Sequence, residues 1–228
     1  MQSPDARPTT SQRLLAVSGV VFAVLFLIGW FASGGDAPDY GAPDQEWTTW
    51  ADDNQWKSRI GAFAMLLAGF VFLHFAATIR TALGSAERSA ELARVAFAGG
   101  ITGMACMTMA IVMISSANTA GAAANPAVTR AIASASAGPF LLSAMGFAAL
   151  LMAAGLLTLR SEVFARWTGV VALIGAVSFL VAFAAVLSGL GEDSIFGFGF
   201  FPGVLALVIW SISTSVAGYR AATGAADV

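Results

Sequence analysis

Charge is what this sequence has least of. Of 228 residues only 11% are Asp, Glu, Lys or Arg, against about 25% in an average soluble domain. Eleven cations and thirteen anions cannot cover a globule of this size, which excludes a soluble monomer and a disordered chain. The net charge of -2 also argues against nucleic acid or any strongly charged partner. One cysteine, Cys106, excludes an internal disulfide framework and a paired-thiol redox centre. One histidine, His74, cannot supply the His-Glu-x-x-His set of a metalloprotease, or two axial ligands for a haem. The single lysine, Lys57, stands in no phosphate-cradling glycine loop, and no Gly-x-Ser-x-Gly elbow occurs. No carboxylate falls inside an apolar run, as proton- or sodium-coupled transport would usually require.

What is present is apolar: 58% of the chain is hydrophobic. Long stretches separate the charges. Arg13 to Asp36 encloses 22 uncharged residues, Arg59 to Arg80 20, and Arg94 to Arg130 35. Arg130 to Arg160 encloses 29, Arg166 to Glu192 25, and Asp193 to Arg220 26. About 20 apolar residues in a helix cross a hydrocarbon core of about 30 Å. Each gap therefore holds one crossing. The expected fold class is all-α, an integral membrane bundle of six transmembrane helices near 14–33, 59–80, 95–117, 132–159, 165–189 and 198–219. Continuous apolar runs disfavour the alternating strands of a barrel. The first run, 14–32, exceeds the usual signal-peptide core of about 7–15 residues, so an uncleaved helix is expected.

Lys and Arg set the orientation. With the N-terminus inside, Arg7, Arg13, Arg80, Arg88, Arg94, Arg160, Arg166 and Arg220 are cytoplasmic, leaving only Lys57, Arg59 and Arg130 outside. Both termini are thus expected inside, in a bacterial cytoplasmic membrane, with loop 34–57 extracytoplasmic. Residues 1–12 and 221–228 are expected as short tails flanking one domain, 13–220. Loop 34–57 carries Trp47, Trp50 and Asn54 at helical spacing, which predicts a short surface helix. Trp30, Trp47, Trp50 and Trp56 are expected at headgroup level. Asn125-Pro126 reads as an N-cap and first helical residue. A helix from there to 159 would span about 51 Å, so Gly138-Pro139 is the expected break. No internal repeat is evident.

Lipid removes most of the hydrophobic drive between helices, so small residues should mediate packing. Gly99 and Gly103, Gly199 and Gly203, and Ala144 and Ala148 are spaced for this, inside the bundle or on a homodimer face. His74 would lie about 9 Å from the inner boundary set by Arg80. With Thr78, Ser211 and Ser215 it could line a polar pocket in the inner half; the alternative is a neutral structural histidine, with serines bonded to their own helix. Outside, Arg59 is expected to pair with a loop acid. Asp52 and Asp53 lack a calcium-loop pattern and read as solvated, while Cys106 reads as packing.

Four stretches carry a resemblance: Arg13-Leu14-Leu15-Ala16-Val17-Ser18-Gly19, Asp52-Asp53-Asn54 through Arg59-Ile60-Gly61, Val95-Ala96-Phe97-Ala98-Gly99-Gly100, and Ala165-Arg166-Trp167-Thr168-Gly169. Over roughly 12–220 they resemble six-helix actinobacterial membrane proteins of uncharacterised function, similar to the bacterial domain of unknown function 4386. Ala165 replaces the proline of the commoner form. The resemblance implies a fold and a topology, and no catalytic, metal or cofactor residues. The expected function is a non-enzymatic structural or accessory partner of another membrane protein. The alternative is a small transporter or channel for an uncharged or amphipathic molecule such as a lipid or drug; a membrane enzyme using the outer carboxylates ranks third.

Overall fold

The computed structural model describes residues 10–34, 37–38, 41–83, 90–121, 125–161, 164–187 and 196–223. These form α1 (Thr10–Gly34), α2 (Asp44–Asp53), α3 (Gln55–Leu83), α4 (Ala90–Gly121), α5 (Pro126–Ala135), α6 (Ala137–Arg160), α7 (Arg166–Ala184) and α8 (Phe196–Thr223). A single 3-10 turn, Ala185–Leu187, tightens the end of α7. Helical backbone reaches Thr10 and Thr223, so it enters both segments expected as tails. The outer acids Glu192 and Asp193 lie outside the described residues.

The long helices pack in chain order around a ring: α1 on α3, α3 on α4, α4 on α6, α6 on α7, α7 on α8, and α8 back on α1. Short connections make consecutive helices antiparallel neighbours. Among the described residues, five stretches are long and apolar enough to cross a membrane: Gln55–Leu83, Ala90–Asn118, Pro126–Arg160, Arg166–Leu187 and Gly197–Arg220. In α1 the apolar stretch Val17–Ser33 is shorter. Large apolar side chains face outward on all six ring helices, among them Phe31, Phe70, Met109, Leu142, Ile174 and Leu205.

Inside, aromatic rings fill the ring's axis. Phe22 meets Phe72 at 4.8 Å between centroids, Phe147 meets Phe179 at 5.5 Å, and Phe179 meets Phe200 at 5.5 Å. Trp30 stacks on Phe200 at 5.3 Å. Such pairs contribute about 0.5–1.5 kcal/mol beyond simple area burial. Where rings do not fill space, backbones touch. A Cβ at Gly99 would stand 2.8 Å from Gly146 O, and one at Gly103 2.9 Å from Phe147 N. The Gly99/Gly103 face is thus used within the bundle, between α4 and α6. On α8, a Cβ at Gly199 would lie 2.5 Å from Ala182 N, and one at Gly203 2.9 Å from the Phe179 ring, so this face packs on α7. Ala144 and Ala148 are buried too.

One local expectation holds and one shifts. Asn125 Oδ1 accepts from Ala127 N–H at 3.0 Å and Pro126 opens α5, as its sequence predicts. The break, however, falls at Ser136, ahead of Gly138-Pro139. Pro139 is thereby placed in the first turn of α6, where its missing N–H breaks no helical bond. Pro202 differs: it lies inside α8, as its seventh residue, where its missing N–H leaves the Phe198 carbonyl without the usual helical donor.

Candidate functional site

The inner polar residues do not converge. α3 turns Phe72, Phe75, Ala76 and Ile79 inward; His74, in the same turns, is exposed on the outer face. Its imidazole meets only the exposed Phe70 ring edgewise, at 5.2 Å. Thr78 Oγ1 donates to the His74 backbone carbonyl at 2.7 Å and leaves the ring alone. Ser211 and Ser215 are both fully buried. Ser211 Oγ donates to Leu207 O at 2.6 Å, with Val208 O at 3.1 Å. Ser215 Oγ lies against the α-carbon of Gly19 on α1. α3 and α8 do meet, but through the rings of Phe75 and Trp210 at 5.7 Å. The expected pocket of His74, Thr78, Ser211 and Ser215 is therefore not assembled. Its serines face α1, and its histidine faces outward.

The end of the bundle expected to lie outside is organised by α2 and α5. The expected surface helix forms, but Trp47 and Trp50 are only 2% and 8% exposed. With Ala51 they make the one apolar face of α2, which lies over α4 and α5. They pack against protein, because neighbouring helices cover that face. Trp30 is half-buried among Phe140, Phe200 and Phe201. Of the four tryptophans expected in a belt, only Trp56, 70% exposed, faces out. Arg130 Nη1 donates to Asp44 Oδ1 at 2.9 Å and ties α5 to α2. Among the described residues the ion pair at this end is made by Arg130, and Arg59 is exposed. Beneath, Asn118 Nδ2 donates to Ser58 Oγ, both fully buried, joining α4 to α3. Ser33 of α1 sits against Gly61 of α3 one turn away. Asp52 and Asp53 are exposed, and no group of three potential metal ligands occurs among the described residues. Cys106 is half-buried on α4.

Cavities occur both inside the bundle and at its ends. An internal void between α3, α4 and α8, lined by Phe72, Phe75, Phe97 and Trp210, holds about 10 Å³, room for a single water. Arg80 covers its mouth, 5.4 Å from the Phe97 ring centroid. Larger cavities are peripheral. One of about 380 Å³ lies between α7 and the start of α8. Others of about 410 and 310 Å³ lie at the opposite end, beside Arg160, Arg166 and Arg220. Sequence reading missed this arginine-lined end as a site. The signal was there in three arginines, each bounding an apolar run.

The family model described as "Domain of unknown function (DUF4386)" matches residues 17–216. No curated protein and no solved structure matches the chain.

Proposed function

The chain belongs to the DUF4386 family, and from that premise we propose that it is a non-enzymatic membrane protein that serves as a structural or accessory partner of another membrane assembly. In this reading α1 is a sixth crossing helix, in a bacterial cytoplasmic membrane. Both termini lie on the cytoplasmic side, with Arg80, Arg94, Arg160, Arg166 and Arg220. The hairpin bearing α2 lies outside. The arginine asymmetry and the outward apolar side chains on every ring helix support this placement, since so much exposed apolar surface suits a hydrocarbon solvent.

One observation carries the accessory role: the bundle's axis is filled by Phe22, Phe26, Phe72, Phe147, Phe179 and Phe200, each no more than 1% exposed. A solute path through the centre would need these rings to part. The chemistry visible on the chain is contact: small-residue grooves, a tethered outer cap and apolar outer faces. Affinity purification in mild detergent, followed by mass spectrometry, tests it. A membrane protein recovered in stoichiometric amount is the expected result.

The cavity of about 410 Å³ at the arginine end favours a second reading, a small transporter or channel for an uncharged or amphipathic molecule. Its size is within the range of ligand pockets, about 300–1,000 Å³, but its lining comes only from helix ends. The second reading takes precedence if no protein co-purifies and reconstituted vesicles show chain-dependent flux of an amphipathic dye.

A further inference from the structure

Arg160 ends α6 and Arg166 begins α7. With Ser161, Phe164 and Ala217 they line the cavity of about 410 Å³. Across Ala165 and Ala217, which both cavities share, it adjoins the groove of about 310 Å³ lined by Trp167, Ile212, Ser213, Val216 and Arg220. The two halves differ in chemistry. The first is largely polar, and its two guanidiniums are exposed and in no ion pair among the described residues. Ser161 Oγ there is shielded and finds no hydrogen-bond partner among the described residues. The second is an apolar trough flanked by exposed Trp167 and Val216. Arg160, Arg166 and Arg220 each stand where an apolar span stops, which is the level of lipid headgroups.

We propose that this double groove binds one anionic phospholipid, its phosphate between Arg160 and Arg166 and an acyl chain in the trough beside Trp167, Ile212 and Val216. The proposal rests on the membrane-embedded reading above. Guanidinium groups take phosphate oxygens through paired, charge-assisted bonds, and basic pockets between helices at a membrane surface favour anionic headgroups. The sequence 160–166 holds two arginines against one acid, Glu162, so the headgroup cavity keeps a positive balance. A free anion would leave the trough unused. A zwitterionic lipid would leave the positive balance uncompensated.

The test uses the full chain in mild detergent, with native mass spectrometry after titration with phosphatidylglycerol or phosphatidylcholine. One phosphatidylglycerol per chain is expected, with little phosphatidylcholine. The double variant Arg160→Gln/Arg166→Gln should lower retention about ten-fold or more, as expected for lost charged hydrogen bonds. Trp167→Ala should weaken lipid retention in part. Arg94→Gln, removing an exposed arginine on α4 away from the groove, should change nothing. Equal retention of both lipids, an unchanged double variant, or an equal loss in Arg94→Gln would overturn the site. So would inorganic phosphate at millimolar concentration displacing the lipid while Trp167→Ala is neutral, which means an anion site only. Should the double variant not fold, quenching of Trp167 by brominated phosphatidylglycerol, read as the signal lost in Trp167→Phe, decides instead: quenching supports the site and none overturns it. Alkaline extraction of the membranes separates the two readings. A chain released by it sinks the membrane placement, whereas an embedded chain without lipid selectivity sinks only this site.

Discussion

At Gly146 the backbone of α6 lies against that of α4, and a methyl group there would fall inside contact distance of the Gly103 backbone. Nothing flexible can yield, because the obstacle is main chain. Gly146→Val is expected to destabilise the bundle by about 1–3 kcal/mol, the usual range for overpacking. Thermal unfolding in detergent measures it. Gly197, in the first turn of α8, is the opposite case, with open space around its α-carbon. Gly197→Ala should stabilise by about 0.4–1 kcal/mol through the unfolded chain. His74→Leu should leave stability within about 0.5 kcal/mol, because the imidazole faces outward and holds no polar partner. A loss well beyond that would mean that His74 is packed inside. The place of His74 on α3, six residues before Arg80, was legible, but the direction of its side chain was not. Residues 66–79 are apolar on all sides, so no polar stripe marks the outer face. Only the packing of Phe72 and Phe75 decides which side turns in.

At the level of elements, α2 and α5 form a cap whose strength lies in its indoles rather than its charges. The Arg130–Asp44 pair is 38% and 42% exposed, and such pairs contribute about 0–1 kcal/mol. Asp44→Asn should therefore scarcely raise proteolysis of the outer loop. Trp47→Ala removes a side chain that is 2% exposed, and large aromatic truncations cost about 3–5 kcal/mol. It should release α2 and speed cleavage between α1 and α3 many-fold; equal, small effects of both substitutions would contradict this account of the cap. Helix existence here was readable from the spacing of Trp47, Trp50 and Asn54, and the start of α5 from Asn125-Pro126. What the indoles touch was not readable. Periodicity defines a face, and the same face suits a headgroup layer or a neighbouring helix. The position of the break at Ser136 was likewise hidden, because proline marks the region of a break and is itself tolerated in the first turn that follows.

For the molecule as a whole, gaps between charges anticipated the long helices closely, since an apolar run has few other uses. The ring order, with α8 closing back on α1, was not legible and came from the packing of the structure. Three arginines bounding apolar runs were visible in the sequence, but the grooves were not, because they combine Arg160 and Arg166 with the distant end of α8, a proximity that no local spacing encodes. The central claim is that six helices cross the membrane with the arginines on one side and the tryptophan hairpin on the other. Cysteine labelling in intact cells, on a Cys106→Ser background, tests it directly with an impermeant maleimide. Thr49→Cys, on the exposed face of α2, should label from outside, and Glu91→Cys, at the start of α4, only after the membrane is broken. Labelling of Glu91→Cys in intact cells, or protection of Thr49→Cys, would contradict the account.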